Sequence, residues 1–255
     1  MRPLSFLVCI ALAFACSKKE PPKPRTEPWE NPAFLTSASA SAPAGSAAPG
    51  SSQRYVLTTS DIRFSLPAKE QTTHGKLSAA SGELFVGQGN FSDARATLNV
   101  DLTSLSIEEE AGAGDHGAYT RRALEWLDLG EAQPPTARER YGQARFELSG
   151  LGRLSEGKRS GSWQATASGQ LSLHGFRVPI EQPISFELSA EKVVIRSQRP
   201  LLVKLAEHDL KPRNAQGQLV STELSLLGTR IGREARVDFE LVFAAQPPAE
   251  KEQQE

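Results

Sequence analysis

The chain has 255 residues, of which 38% are apolar and 23% charged, room for one large domain or two small ones at about 100–200 residues each. A formal net charge of -1 excludes a bulk electrostatic pull toward nucleic acid or an acidic membrane surface. No internal apolar run approaches the roughly 20 residues that a membrane-spanning helix needs.

Both cysteines, Cys9 and Cys16, lie near the start. After Arg2, the run "LSFLVCIALAF" from Leu4 to Phe14 is too short to span a bilayer, and Ala13-Phe14-Ala15 has the small-x-small pattern of a signal-peptidase site. Residues 1–15 are therefore expected to be a signal peptide that takes Cys9 with it. Cys16 then resembles the lipid-modified cysteine of bacterial lipoproteins. Two departures mark the resemblance: Leu12 stands one place too far from Cys16, and Phe14 is bulky for its slot. Acylation at Cys16 would exceed the two-anchor threshold for stable membrane attachment. Ser17 beside it resembles the signal for release to the outer membrane, so the expected location is the cell envelope, lipid-anchored and facing the periplasm. Plain secretion with a leftover thiol is the alternative. The mature domain beyond Cys16 has no cysteine left, so no disulfide braces it.

Residues 16–53 turn Pro-rich and then Ser/Ala/Gly-rich, with too little apolar content to offset the entropy of ordering. They read as a disordered tether, and the polar residues 246–255 as a disordered tail. The folded unit is expected at 54–245. Within it, apolar and polar residues alternate with period 2 in row after row. The rows are Ile62-Phe64-Leu66, then Ala96-Leu98-Val100-Leu102, then Ala144-Phe146-Leu148. Trp163, Ala165, Ala167, Gly169, Leu171 and Leu173 continue the rule, followed by Ile184-Phe186-Leu188 and Leu201-Val203-Leu205. The last row, Ala235, Val237, Phe239, Leu241 and Phe243, is set against Arg236, Asp238 and Glu240. Such rows are the mark of antiparallel strands wet on one side. One stretch reads as a helix: in "GAYTRRALEWLDLG", Tyr119, Ala123, Trp126 and Leu127 share a side and Gly130 is the expected stop. The pattern predicts an all-β, antiparallel up-and-down barrel of about eight strands with one helical insertion, because closure removes exposed edges. A two-sheet sandwich is the alternative.

Three motifs invite a different chemistry. "GAGDHG", Gly112 to Gly117, spells a dinucleotide fingerprint, but "SLSIEEEA" separates it from the preceding strand and Glu108, Glu109 and Glu110 would repel phosphate. His74, His116 and His174 each precede a glycine, which reads as turn chemistry; no two histidines have a metal-ligand spacing, and no metal is expected. For His174-Gly175 a hairpin turn is expected. "LAEHDLKPRN" gathers His208, Asp209, Lys211 and Arg213, either as a solvated loop or as a polar rim for a phosphate or quinone head. Without a nucleophile elbow or a mature thiol, no enzyme is expected.

The strands together resemble a known family. "GQLSLHGFRVPIEQPISFEL" looks like the hairpin of the YceI-like, lipocalin-like polyisoprenoid-binding proteins, and "DHGAYTRRALEWLDL" is similar to their helical insertion. "DIRFSLP", "HGKLSAASGELFV" and "ATLNVDLTSL" match the opening strands, and "PTARERYGQARFELSGL" fits the strand after the insertion. The stretch from Ser104 to Gly117 is longer and more acidic than in the family, and "RPLLVKLAEHDLKPRN" does not align. The resemblance implies a lipocalin-like barrel around an elongated apolar cavity that holds a long isoprenoid or other lipid, with no cofactor and no catalysis; it also admits a homodimer. Phe64, Leu98, Val100, Phe146, Leu148, Leu171, Leu173, Phe186, Val237 and Phe239 are expected to line the cavity. Small residues among the inward rows, Ala96, Ala144, Ala165, Ala167 and Gly169, are expected to leave the space; a core filled by its own phenylalanines is the alternative.

Overall fold

The period-2 rows become long strands with one apolar face. The computed structural model describes residues 52–67, 72–87, 90–108, 116–210, 225–226, 229–230 and 233–246. In chain order these form β1 (Ser52–Leu66), β2 (Thr73–Leu77), β3 (Ala80–Gly87), β4 (Asn90–Asp101), a 3-10 turn at Leu102–Ser104 and β5 (Leu105–Ile107). Helices α1 (His116–Trp126) and α2 (Pro135–Tyr141) follow, then β6 (Gln143–Glu156), β7 (Ser162–Leu173), β8 (Phe176–Leu188), β9 (Lys192–Ser197) and β10 (Leu201–Lys204). A second 3-10 turn at Leu205–His208, the short β11 (Ser225–Leu226) and β12 (Thr229–Arg230), and β13 (Glu234–Ala245) complete the series.

Eight strands close a barrel in the cyclic order β1-β3-β4-β6-β7-β8-β9-β13, with β13 returning antiparallel to β1 in a register that sets Ile62 against Phe239 and Phe64 against Val237. That seam excludes the two-sheet sandwich. The wall flares at one end because two strands change partner. β1 pairs with β3 through residues 52–56 and with β2 through residues 62–66. β13 pairs with β9 through residues 240–244 and with β10 through residues 234–237. β5 extends β2, and α1 packs on β5. Beyond the eight wall strands, β2, β5 and β10 thus widen the end that α1 covers.

The insertion holds two helices where one was expected. Asp128 takes the left-handed conformation (φ 56°) and stops α1: its N–H donates to the Glu125 carbonyl at 3.1 Å, and the Leu129 N–H reaches back to the Leu124 carbonyl at 2.8 Å. This is the two-bond C-terminal cap that glycine usually supplies, set two residues before Gly130. Pro135 at the first turn then starts α2. The second 3-10 turn closes similarly, with Asp209 at φ 52° and the Leu210 N–H on the Leu205 carbonyl at 3.0 Å. Leu129 and Leu210, which follow the two left-handed aspartates, are both buried in the core under α1.

His174 and Gly175 form the expected two-residue hairpin between β7 and β8, both at positive φ (51° and 80°), the primed turn whose twist suits the strands. The other two His-Gly pairs are not turns. His74-Gly75 lies inside β2, where a Cβ on Gly75 would stand 2.8 Å from Phe64 Cε1; His116-Gly117 opens α1. Glycine at 75 is there for close packing.

Candidate functional site: an apolar barrel cavity

The inward rows converge on a cavity of about 300 Å³, at the lower end of the range for ligand pockets, ~300–1,000 Å³. Its wall carries all ten residues expected there: Phe64 on β1, Leu98 and Val100 on β4, Phe146 and Leu148 on β6, Leu171 and Leu173 on β7, Phe186 on β8, and Val237 and Phe239 on β13. The core is therefore not plugged solid by its phenylalanines. The small residues act differently from one another. Ala96, Ala144 and Ala167 stand on the wall, whereas Gly169 is covered by the Phe146 ring, whose Cζ would lie 2.7 Å from a Cβ placed there. Ala165 packs into a cluster with Phe186 and Trp163. In that cluster Phe91 lies tilted against Trp163 with ring centres 5.0 Å apart and edge-on to Phe186 at 5.4 Å.

At the other end α1 contributes Ala123 and Trp126 to the wall, the turn after it contributes Leu127, and the second 3-10 turn contributes Leu205. Behind this cap two buried histidines tie three segments together. His174, at the β7–β8 turn, lies 3.0 Å from the His208 carbonyl through Nδ1 and 3.0 Å from Asp128 Oδ2 through Nε2. His208 approaches the Leu173 carbonyl through Nδ1 at 3.3 Å, and Tyr141 of α2 stacks on His174 at 4.4 Å. His208 is 1% exposed, so it is neither a solvated loop residue nor an exposed rim. Burial pushes its imidazole down from the ordinary value, against the opposing pull of the Leu173 carbonyl and Glu207. Lys211 and Arg213 lie outside the described residues, as do Cys16 and the tether as far as residue 51, Gly112, Glu109 and Glu110, whereas residues 52 and 53 already belong to β1. Glu108 faces Lys76 at 3.7 Å.

Along β8 the inward positions read Ile180, Gln182, Ile184, Phe186 and Leu188, all on the cavity wall. Among the described residues, Gln182 is the one non-aromatic polar residue on that wall, and it is 5% exposed. In the sequence the row is evident only from Ile184 onward, because Pro179 and Pro183 on the alternate positions obscure Gln182, a polar residue in an apolar period-2 row. Trp126, also on the wall, has a buried indole N–H that no described residue accepts. Among the described residues no group of His, Cys, Asp and Glu could hold a metal ion, and no helix is long and apolar enough to cross a membrane.

Comparison with solved structures places this architecture. A polyisoprenoid binding domain from Saccharophagus degradans, implicated in plant cell wall breakdown, superposes with a TM-score of 0.52 at 20% identity, over 76% of this chain and 98% of that one. This is the lipocalin-like, YceI-type fold. Burkholderia cenocepacia BcnA is similar over 72% of this chain and 95% of its own (16% identity, TM-score 0.49), and a Campylobacter jejuni YCEI protein over 68% and 85% (10% identity, TM-score 0.44). No family model and no curated protein matches the chain. Within the YceI-type fold, the divergent stretch after Pro200 supplies β10 and the 3-10 turn that carries His208.

Proposed function

We propose that the chain is a non-catalytic cell-envelope lipoprotein, held at the outer membrane through Cys16 and its tether, whose barrel binds an isoprenoid-like or other long apolar lipid. The observation that carries this reading is the wall of the cavity, which the described residues make almost wholly apolar from β1 round to β13. Such a wall attracts hydrocarbon through burial at about 25 cal/mol per Å² of apolar surface. It offers no placed acid, base or nucleophile among the described residues, which is what a catalytic pocket requires. The similarity to a domain described as polyisoprenoid-binding points the same way. A solid-cored scaffold is disfavoured by the space itself. Pairing of two barrels is a further element of this reading.

The test is organic extraction of the protein purified from its host's envelope, followed by mass spectrometry of the extract and of the native protein. A long-chain lipid in near one-to-one ratio with the chain is the expected result. An empty extract, together with no uptake of added isoprenoids, would end the reading.

A further inference from the structure

We infer that Phe91 and Phe186 form the floor of the barrel and act as a chain-length stop, so that the ligand lies with its tail against these rings and gains nothing from growing longer. The inference rests on the lipid-binding reading and adds a size limit to it. Phe91 stands on β4 and Phe186 on β8, with β6 and β7 between them. Three strand spacings of ~4.8 Å put them about 14 Å apart along the wall. Their ring centres are nevertheless 5.4 Å apart. The two rings therefore leave separate parts of the wall and meet inside the barrel. Trp163 on β7, 5.0 Å from Phe91, supports the contact without lining the cavity, which Phe91 and Phe186 both do.

The local backbone is what places Phe91 there. The inward row of β4 runs Ala94, Ala96, Leu98 and Val100, and Phe91 is out of phase with it. Phe85 pairs with Arg95 but Gly87 already with Asn90. β4 thus carries extra residues at this point, and such a bulge re-aims a side chain. Phe91 packs against both the cluster around Phe243 and the one around Phe186, which bridges two sides of the lumen. The opposite end is covered by α1 and the second 3-10 turn, segments outside the barrel ladder. The floor rings, in contrast, are mounted on wall strands paired on both sides. A tail that reaches them buries no further surface by lengthening, and the surplus is left at the covered end. Along β7 the lumen runs from Ala167 to Leu173, about 20 Å of strand at ~3.3 Å per residue, or about 15 Å along the axis of a barrel with the usual tilt.

The alternative role for these rings is packing alone. The two roles separate in a chain-length series of geraniol, farnesol, geranylgeraniol and geranylfarnesol, each titrated into the purified full chain. Each added isoprene unit should raise affinity about tenfold or more until the tail meets the floor, and the gain should then stop within the series. Phe91→Ala removes a side chain about as large as one isoprene unit. It should move the stop one unit toward longer chains and leave the shorter alcohols bound as before. Phe91→Trp should move the stop toward shorter chains, so the outcome does not hang on one variant folding; thermal melts show which of them fold. Affinity that climbs through the whole series on the unaltered protein overturns the inference and leaves the lipid-binding reading in place. So does a stop that stays put in the folded variants, or an equal change for every alcohol. Failure of all four alcohols to bind overturns both.

Discussion

His174 and His208 cross-brace the covered end of the barrel: His174 donates from Nδ1 to the His208 carbonyl at 3.0 Å, and His208 donates from Nδ1 to the Leu173 carbonyl at 3.3 Å. Each ring thereby satisfies a main-chain acceptor beside the other, and Asp128 on the His174 Nε2 extends the brace to the end of α1. His174→Ala leaves the buried carbonyl without its donor, at about 1–3 kcal/mol per unsatisfied group. Urea unfolding should show a loss in that range, and His174→Ala/His208→Ala should lose less than the two single variants added together. Full additivity would mean that the rings do not act as one unit.

His208 makes stability depend on pH with a defined sign. Burial lowers its pKa from the ordinary histidine value of about 6.5, so below that value the unfolded chain binds a proton that the folded chain refuses. The stability due to neutral His208 is complete above about pH 6.5 and is lost as pH falls through the lower folded value. The wild-type urea midpoint should fall on acidification, and His208→Gln should flatten that fall. Parallel pH profiles for the two proteins would remove His208 as the cause.

Gly169 is hemmed in by the Glu147 carbonyl and the Phe146 ring, which both stand where a β-carbon would go. Gly169→Val should cost about 1–3 kcal/mol by overpacking, and adding Phe146→Leu should leave most of that cost in place, because the main-chain carbonyl remains. Thermal melts of the single and double variants measure this. A Gly169→Val protein as stable as wild type would contradict the packing described.

The anchor is testable apart from the barrel. Cys16→Ser should move the protein from the membrane pellet to the soluble envelope fraction. Sedimentation with membranes in the absence of that thiol would count against lipid attachment.

The barrel was legible because its inward rows are unbroken: Ala235 through Phe243 alternate without exception, and all five side chains reach the cavity. What escaped did so for local reasons. In β1 the register shifts between Leu57 and Thr59, which breaks the alternation before Ile62. In β9, Val193 and Val194 are both buried (2% and 6%), so no period-2 row appears. The sequence points to Gly130 as the stop of α1, because aspartate at a left-handed position carries no compositional flag. His208 looked like part of a charged loop, since its neighbours Glu207 and Asp209 are polar and its burial depends on contact with the distant β7–β8 turn. All ten expected cavity positions lie on the wall, yet Gln182 does not stand out until β8 is traced past its prolines.

The most direct test of the central claim is a titration of the purified chain with farnesol followed by native mass spectrometry, beside an Ala96→Phe variant whose new ring fills the lumen. One farnesol per chain, saturable and abolished by Ala96→Phe in a protein that still melts cooperatively, is the expected result. No adduct on the unaltered chain, or an adduct that survives filling of the cavity, would contradict a lipid held inside the barrel.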